Sequence, residues 1–198
     1  INRYMPSLFS KIQADAERAG FLPRSAESRD WFLRKIRSLS NISPSKVLND
    51  DSLQTRGKPL IGRMFMFLYD PKYKETLPYY DKFPLILMVA PAKGGFYGLN
   101  LHYLPPRQRA VFFDRLMDHM TNKKLDETTR FRLSYDMLNS TAKLRAYAPC
   151  FKHYLYKHVV SKTVEVLPKE WEIALFLPTE SFVGQKNNSI WQKTRTLV

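Results

Sequence analysis

The chain has 198 residues, 44% apolar and 14% aromatic, and its 32 Lys and Arg against 18 Asp and Glu leave a formal net charge of +14. That apolar share excludes a wholly disordered chain and is enough to bury a sizeable core. No apolar run approaches the ~18 residues of a membrane-spanning helix, the first twenty residues lack the apolar core of a secretory leader, and the single cysteine, Cys150, excludes an internal disulfide.

In chain order, Leu8, Phe9, Ile12, Ala16 and Ala19 recur at helical spacing, and Gly20 is a stop. Ser28 is a candidate cap for a second helix with Trp31, Phe32, Ile36 and Leu39 on one stripe. Ser43-Pro44 has the form of an N-cap followed by proline at the first helical position, opening a short helix to about Leu48. A polar linker, 50–59, leads to strands at 61–69, 83–89 and 96–104. The second of these is continuously apolar and predicts a strand buried on both faces. Lys93-Gly94-Gly95 supplies the turn between the last two, and Pro105-Pro106 ends the third. A helix is expected over 106–120, with Val111, Phe112, Leu116 and Met120 on its apolar side. A second is capped by Asp126, and a third spans 150–160. Two late strands, 163–167 and 172–177, are positioned to complete the central sheet. A polar tail containing Trp191 follows.

These elements define an α+β fold. Its expected architecture is a small SH3-like β-barrel with a helical insertion and N-terminal helices: a helical arm (1–60), the first part of the barrel (61–105), a basic helical insertion (106–162), closing strands (163–182) and a tail (183–198). Charge follows this division. Residues 106–162 carry twelve Lys and Arg against five Asp and Glu, whereas residues 163–198 carry four of each. An excess concentrated in one segment points to a polyanionic partner, and double-stranded DNA is the favoured one. The candidate DNA-contacting residues are Arg107, Arg109, Arg115, Lys123, Lys124, Arg130, Arg132, Lys143, Arg145, Lys152 and Lys157. Trp191, a lone indole among Gln192, Lys193, Thr194 and Arg195, is a candidate anchor for another protein chain.

No catalytic constellation emerges. The chain has no P-loop, no glycine-rich dinucleotide motif and no nucleophile elbow. His102 sits on an alternating strand without a neighbouring nucleophile and reads as a hydrogen-bonded structural histidine. Cys150, His153 and His158 fall short of the four ligands of a structural zinc site, so neither metal nor cofactor is expected. Asp114 and Asp118 share a helical face, as a metal nuclease would need, but exposed acid–base pairs on helices are common. Tyr69, Tyr73, Tyr79 and Tyr80 beside Lys72, Lys74 and Lys82 read better as a stiffened loop than as a base-stacking surface.

The blocks LPYYDKFPLILMVAPAKGGFYGLNLHYLPPRQRA, LSYDML, APCFKHYL and EWEIALFLP resemble a virion-protein family of T-even-type myoviruses, especially those of cyanobacteria, known as DNA end protector proteins. The resemblance covers roughly residues 25–182. It implies a non-enzymatic virion protein that binds the ends of packaged double-stranded DNA and assists head completion. Such a protein is assembled in the host cytoplasm with other virion proteins and needs no small-molecule substrate or membrane. The alternatives are a neck, tail or baseplate protein joining virion subunits without DNA contact, and a nuclease or nuclease inhibitor on the same barrel.

Overall fold

The computed structural model describes residues 6–39, 42–120, 140 and 145–195. Three short helices come first. Helix α1 (Leu8–Arg18) is capped by Ser7, whose hydroxyl accepts from the Ser10 N–H, and it buries Phe9, Ile12 and Ala16. Helix α2 (Ala26–Ser38) is capped by Ser25 rather than Ser28. Ser28 lies in its first turn, buried, and donates to the Ser25 carbonyl. Helix α3 (Pro44–Leu48) starts at Ser43-Pro44 as expected.

A mixed layer follows: β1 (Gln54–Arg56), β2 (Met64–Met66), β3 (Tyr80–Asp81), β4 (Leu85–Ala92), β5 (Gly95–Asn100), α4 (Pro106–Met120), β6 (Phe151–Leu155), β7 (Thr163–Val166), α5 (Trp171–Phe176), β8 (Phe182–Val183) and α6 (Asn187–Arg195). Six strands form one antiparallel sheet in the order β1-β7-β2-β4-β5-β6, and β3 pairs with β8 separately. The late strand β7 completes the centre by pairing with both β1 and β2. The sheet is open, with β1 and β6 at its edges. A single bridge between Tyr69 and Val159 curls it back on itself without closing a barrel among the described residues.

Alternation along the strands divides the core. Met64, Met66, Leu85, Leu87, Leu99, Val164 and Val166 face the helices and merge with Phe9, Phe32, Phe113 and Trp171 into the main core. Phe65, Phe67, Ile86, Met88, Phe96 and Tyr154 form a smaller aromatic-rich core on the opposite face. Helix α5 packs against α1, α2 and α4. Its Trp171 is fully buried, and the indole N–H donates to the Val166 carbonyl at 2.7 Å. Arg29 of α2 ties this layer together through a bidentate pair with Asp114 and a 3.6 Å approach to Glu172.

The strand expected over 96–104 ends at Asn100, and His102 lies in a 3-10 turn over Leu101–Tyr103; two further elements change type. Residues 151–155 form a strand, not part of a helix, and residues 156–158 are a single 3-10 turn. Cross-strand aromatic contacts decide this: Tyr97 stacks on Phe151 at 5.4 Å and Phe96 on Tyr154 at 5.5 Å. Gly95 permits the approach, because a Cβ there would sit 1.8 Å from the Tyr154 carbonyl oxygen. Conversely, residues 171–176 form a helix, not a strand, and every side chain in it is buried. Apart from Glu172 the segment is apolar, and a short apolar run carries no period that distinguishes the two. The turn into β5 is as expected, with Gly94 at φ 71°. The expected helix beginning at Asp126 lies outside the described residues.

Candidate nucleic-acid interface

Helix α4 begins at Pro106, whose missing N–H costs nothing in a first turn, and it spans the expected residues. Its faces differ from the expected ones. Arg107, Val111 and Arg115 succeed one another every fourth residue, and all three are exposed. Arg109, Ala110, Phe112 and Phe113 are buried. Val111 is therefore an apolar residue on the wet side, and Arg109 is a charged residue in the core.

Arg109 is held there by a complete set of acceptors. Its Nε donates to the Leu104 carbonyl at 2.7 Å, one Nη to the Leu175 carbonyl at 2.8 Å, and the other to Glu180 and, at 3.4 Å, to the His102 carbonyl. With no exposed surface, it is unavailable to DNA. Its guanidinium carbon also lies 5.6 Å from the ring centroid of Trp191. That indole is half-buried against the chain's own fold, and its Nε1 donates to the His102 carbonyl at 2.8 Å. The expected tail is therefore helix α6, which also buries Ile190 and Thr194. Trp191 anchors it to this chain rather than standing exposed for a partner.

Lys157 is exposed, in the turn after β6. Lys152, on the edge strand β6, is half-buried with its ammonium 4.2 Å from the Tyr103 ring centroid, and burial lowers its pKa. Arg145 lies in a 3-10 helix. Lys123, Lys124, Arg130, Arg132 and Lys143 lie outside the described residues. The structure thus places Arg107, Arg115 and Lys157 at the surface and withdraws Arg109 from it.

The other constellations are absorbed by the fold. His102 is buried, its Nδ1 donating to Asp81 Oδ2 at 2.7 Å while Nε2 lies 3.3 Å from Thr179 Oγ1. Carboxylate, imidazole and hydroxyl line up as in a hydrolase triad, but all three residues lie in the interior, out of reach of a substrate. Asp114 is taken up by Arg29. Cys150 is buried, which pushes its thiol up to about 12. In the tyrosine-rich loop, Tyr69 belongs to the second core and accepts from the Leu155 N–H, while the Lys74 ammonium pairs with Asp70 at 2.9 Å.

One basic cluster escaped sequence reasoning. Glu165, fully buried on β7, accepts from Arg56 Nε and, at 2.9 Å, from Arg63 Nη1. The residues are about a hundred positions apart, so no local pattern announces them.

A family model described as phage T4 terminal DNA protecting protein matches residues 2–195. No curated protein and no solved structure matches the chain. The match favours DNA-end binding over a neck, tail or baseplate role. With nearly the whole chain covered, the chain belongs to the family of the phage T4 terminal DNA protecting protein, a bacteriophage virion protein that binds DNA ends without being a known enzyme.

Proposed function

We propose that this protein grips the end of packaged double-stranded DNA by neutralising phosphates, without reading bases, and so assists head completion. The observation that carries the proposal is the excess of twelve Lys and Arg over five Asp and Glu across residues 106–162, in a family defined by protection of terminal DNA. A sequence-independent task needs phosphate contacts, which position a protein without specifying sequence. Arg107, Arg115, Lys157 and the cations at 123–145 are the contacting set. The curl of the sheet around Phe65, Phe67, Phe96 and Tyr154 supports reading the centre as a small SH3-like barrel that presents this segment. Other virion proteins are its assembly partners, and assembly takes place in the host cytoplasm.

Affinity for DNA is expected to fall linearly on a log–log plot against salt, with a slope of about 0.9 per phosphate neutralised. Replacing Lys123, Lys124, Arg130 and Arg132 together by glutamine should make that slope shallower by up to about 3.6. A titration of fluorescent duplex at several salt concentrations measures it. An unchanged slope would move the contact elsewhere on the protein. Absence of binding at low salt would refute phosphate gripping.

A further inference from the structure

Away from the helices, a groove of about 510 Å³ runs between the segment leaving β1 and the segment joining β6 to β7. Arg56, Lys58, Tyr156 and Lys162 line it, with Thr55 and Thr163. Four features distinguish it from an ordinary solvated surface. First, Arg56 is oriented by a buried carboxylate: only its Nε is used by Glu165, so its terminal nitrogens keep their donors, and its side chain is 38% exposed. Arg63 reaches the same carboxylate through one Nη and is 43% exposed, so one buried negative charge holds two half-exposed guanidiniums. Second, Lys58 has no carboxylate partner among the described residues, and its ammonium lies 5.8 Å from the Tyr156 ring centroid. Third, Lys162 is paired only loosely, at 3.5 Å, with an Asp51 that is almost fully exposed. Fourth, the groove is open rather than enclosed, as a polymer requires.

Three cations, Arg56, Lys58 and Lys162, line the trough and no carboxylate does, so it is net positive, with an arginine fork already set to receive oxygen atoms. We propose that this groove is a second DNA site, binding the phosphodiester backbone of a terminal strand, with Tyr156 as an aromatic wall for an unpaired end base. The inference rests on the DNA-end reading above, but it assigns contacts to Arg56, Lys58 and Lys162, none of which is in the contacting set named there. Two surfaces, α4 and this groove, would let one molecule hold a terminus at two points.

Removing Arg56 or Arg63 would strip a partner from buried Glu165 and disturb folding, so the test uses the lysines. The Lys58→Gln, Lys162→Gln double variant loses only exposed interactions and should melt like the wild type. With a short blunt-ended duplex as probe, its log–log salt slope should be shallower than that of the wild type by about 1.8, with weaker binding at every salt concentration. An unchanged slope and affinity, while the Lys123, Lys124, Arg130, Arg132 variant still flattens the slope, would overturn the groove and leave the DNA-end reading standing. No binding by the wild type would overturn both.

Discussion

Arg109→Met is expected to destabilise the fold by about 3–5 kcal/mol, the range for breaking a buried ion pair from one side. The methionine fills much of the space but satisfies nothing. Glu180, whose side chain is 4% exposed, would keep its charge without its partner, and the Leu104, Leu175 and His102 carbonyls would lose a shared donor. Arg109 and these groups sit on four different segments, so the loss reaches α4, α5, the turn after β5 and the segment leading to β8. Trp191 loses the cation beside its ring as well, loosening α6. Against a typical total of about 5–15 kcal/mol, the change removes a large share of the stability. Urea unfolding measures it. A companion Glu180→Leu change should restore part of the loss by removing the stranded carboxylate. A loss below about 1 kcal/mol would mean that the interior tolerates the bare carboxylate, contrary to the packing described.

Asp81→Asn is expected to cost about 3 kcal/mol at neutral pH, within the range for disrupting a buried charged pair. Burial works to raise the Asp81 carboxyl, but the His102 charge and hydrogen bonds from His102, Asn100 and the Phe83 N–H outweigh it and hold the group below its ordinary value of 3.8. An asparagine in its place would turn an amide N–H₂ toward other donors. The depressed pKa also fixes the pH dependence. The stabilisation is fully present above 3.8 and is lost as pH falls through the lower folded-state value, because the unfolded chain then binds the proton more readily. The stability gap between wild type and Asp81→Asn, read from urea unfolding across a pH series, should be constant near neutrality and narrow below 3.8. A gap that widens in acid would contradict the assignment.

Much of the scaffold was legible in the sequence because its signals are local. Ser43-Pro44 sits beside the helix it opens, the apolar stretch over 85–89 is buried on both faces, and Gly94 takes the turn. Segment 151–155 was misread because aromatic and basic residues fit either period, and the deciding contacts with Tyr97 and Phe96 come from a distant strand. Segment 171–176 was misread because, apart from Glu172, it is apolar and shows no period. The site was less legible than the fold. A charge count finds the basic segment but cannot see that Glu180 draws Arg109 inward, or that Glu165 gathers Arg56 and Arg63 from about a hundred residues away. Burial of a charge is set by long-range partners, and no window of sequence contains them.

Recognition of DNA termini has a stoichiometric signature that general affinity for DNA lacks. Blunt linear duplexes of two lengths are titrated with protein at equal molar concentration of ends, at moderate salt, with a covalently closed circle as competitor. Bound protein should saturate in proportion to ends, independently of duplex length, and the circle should compete weakly. Saturation in proportion to base pairs, with linear and circular DNA competing equally, would contradict end recognition and leave only a nonspecific basic surface.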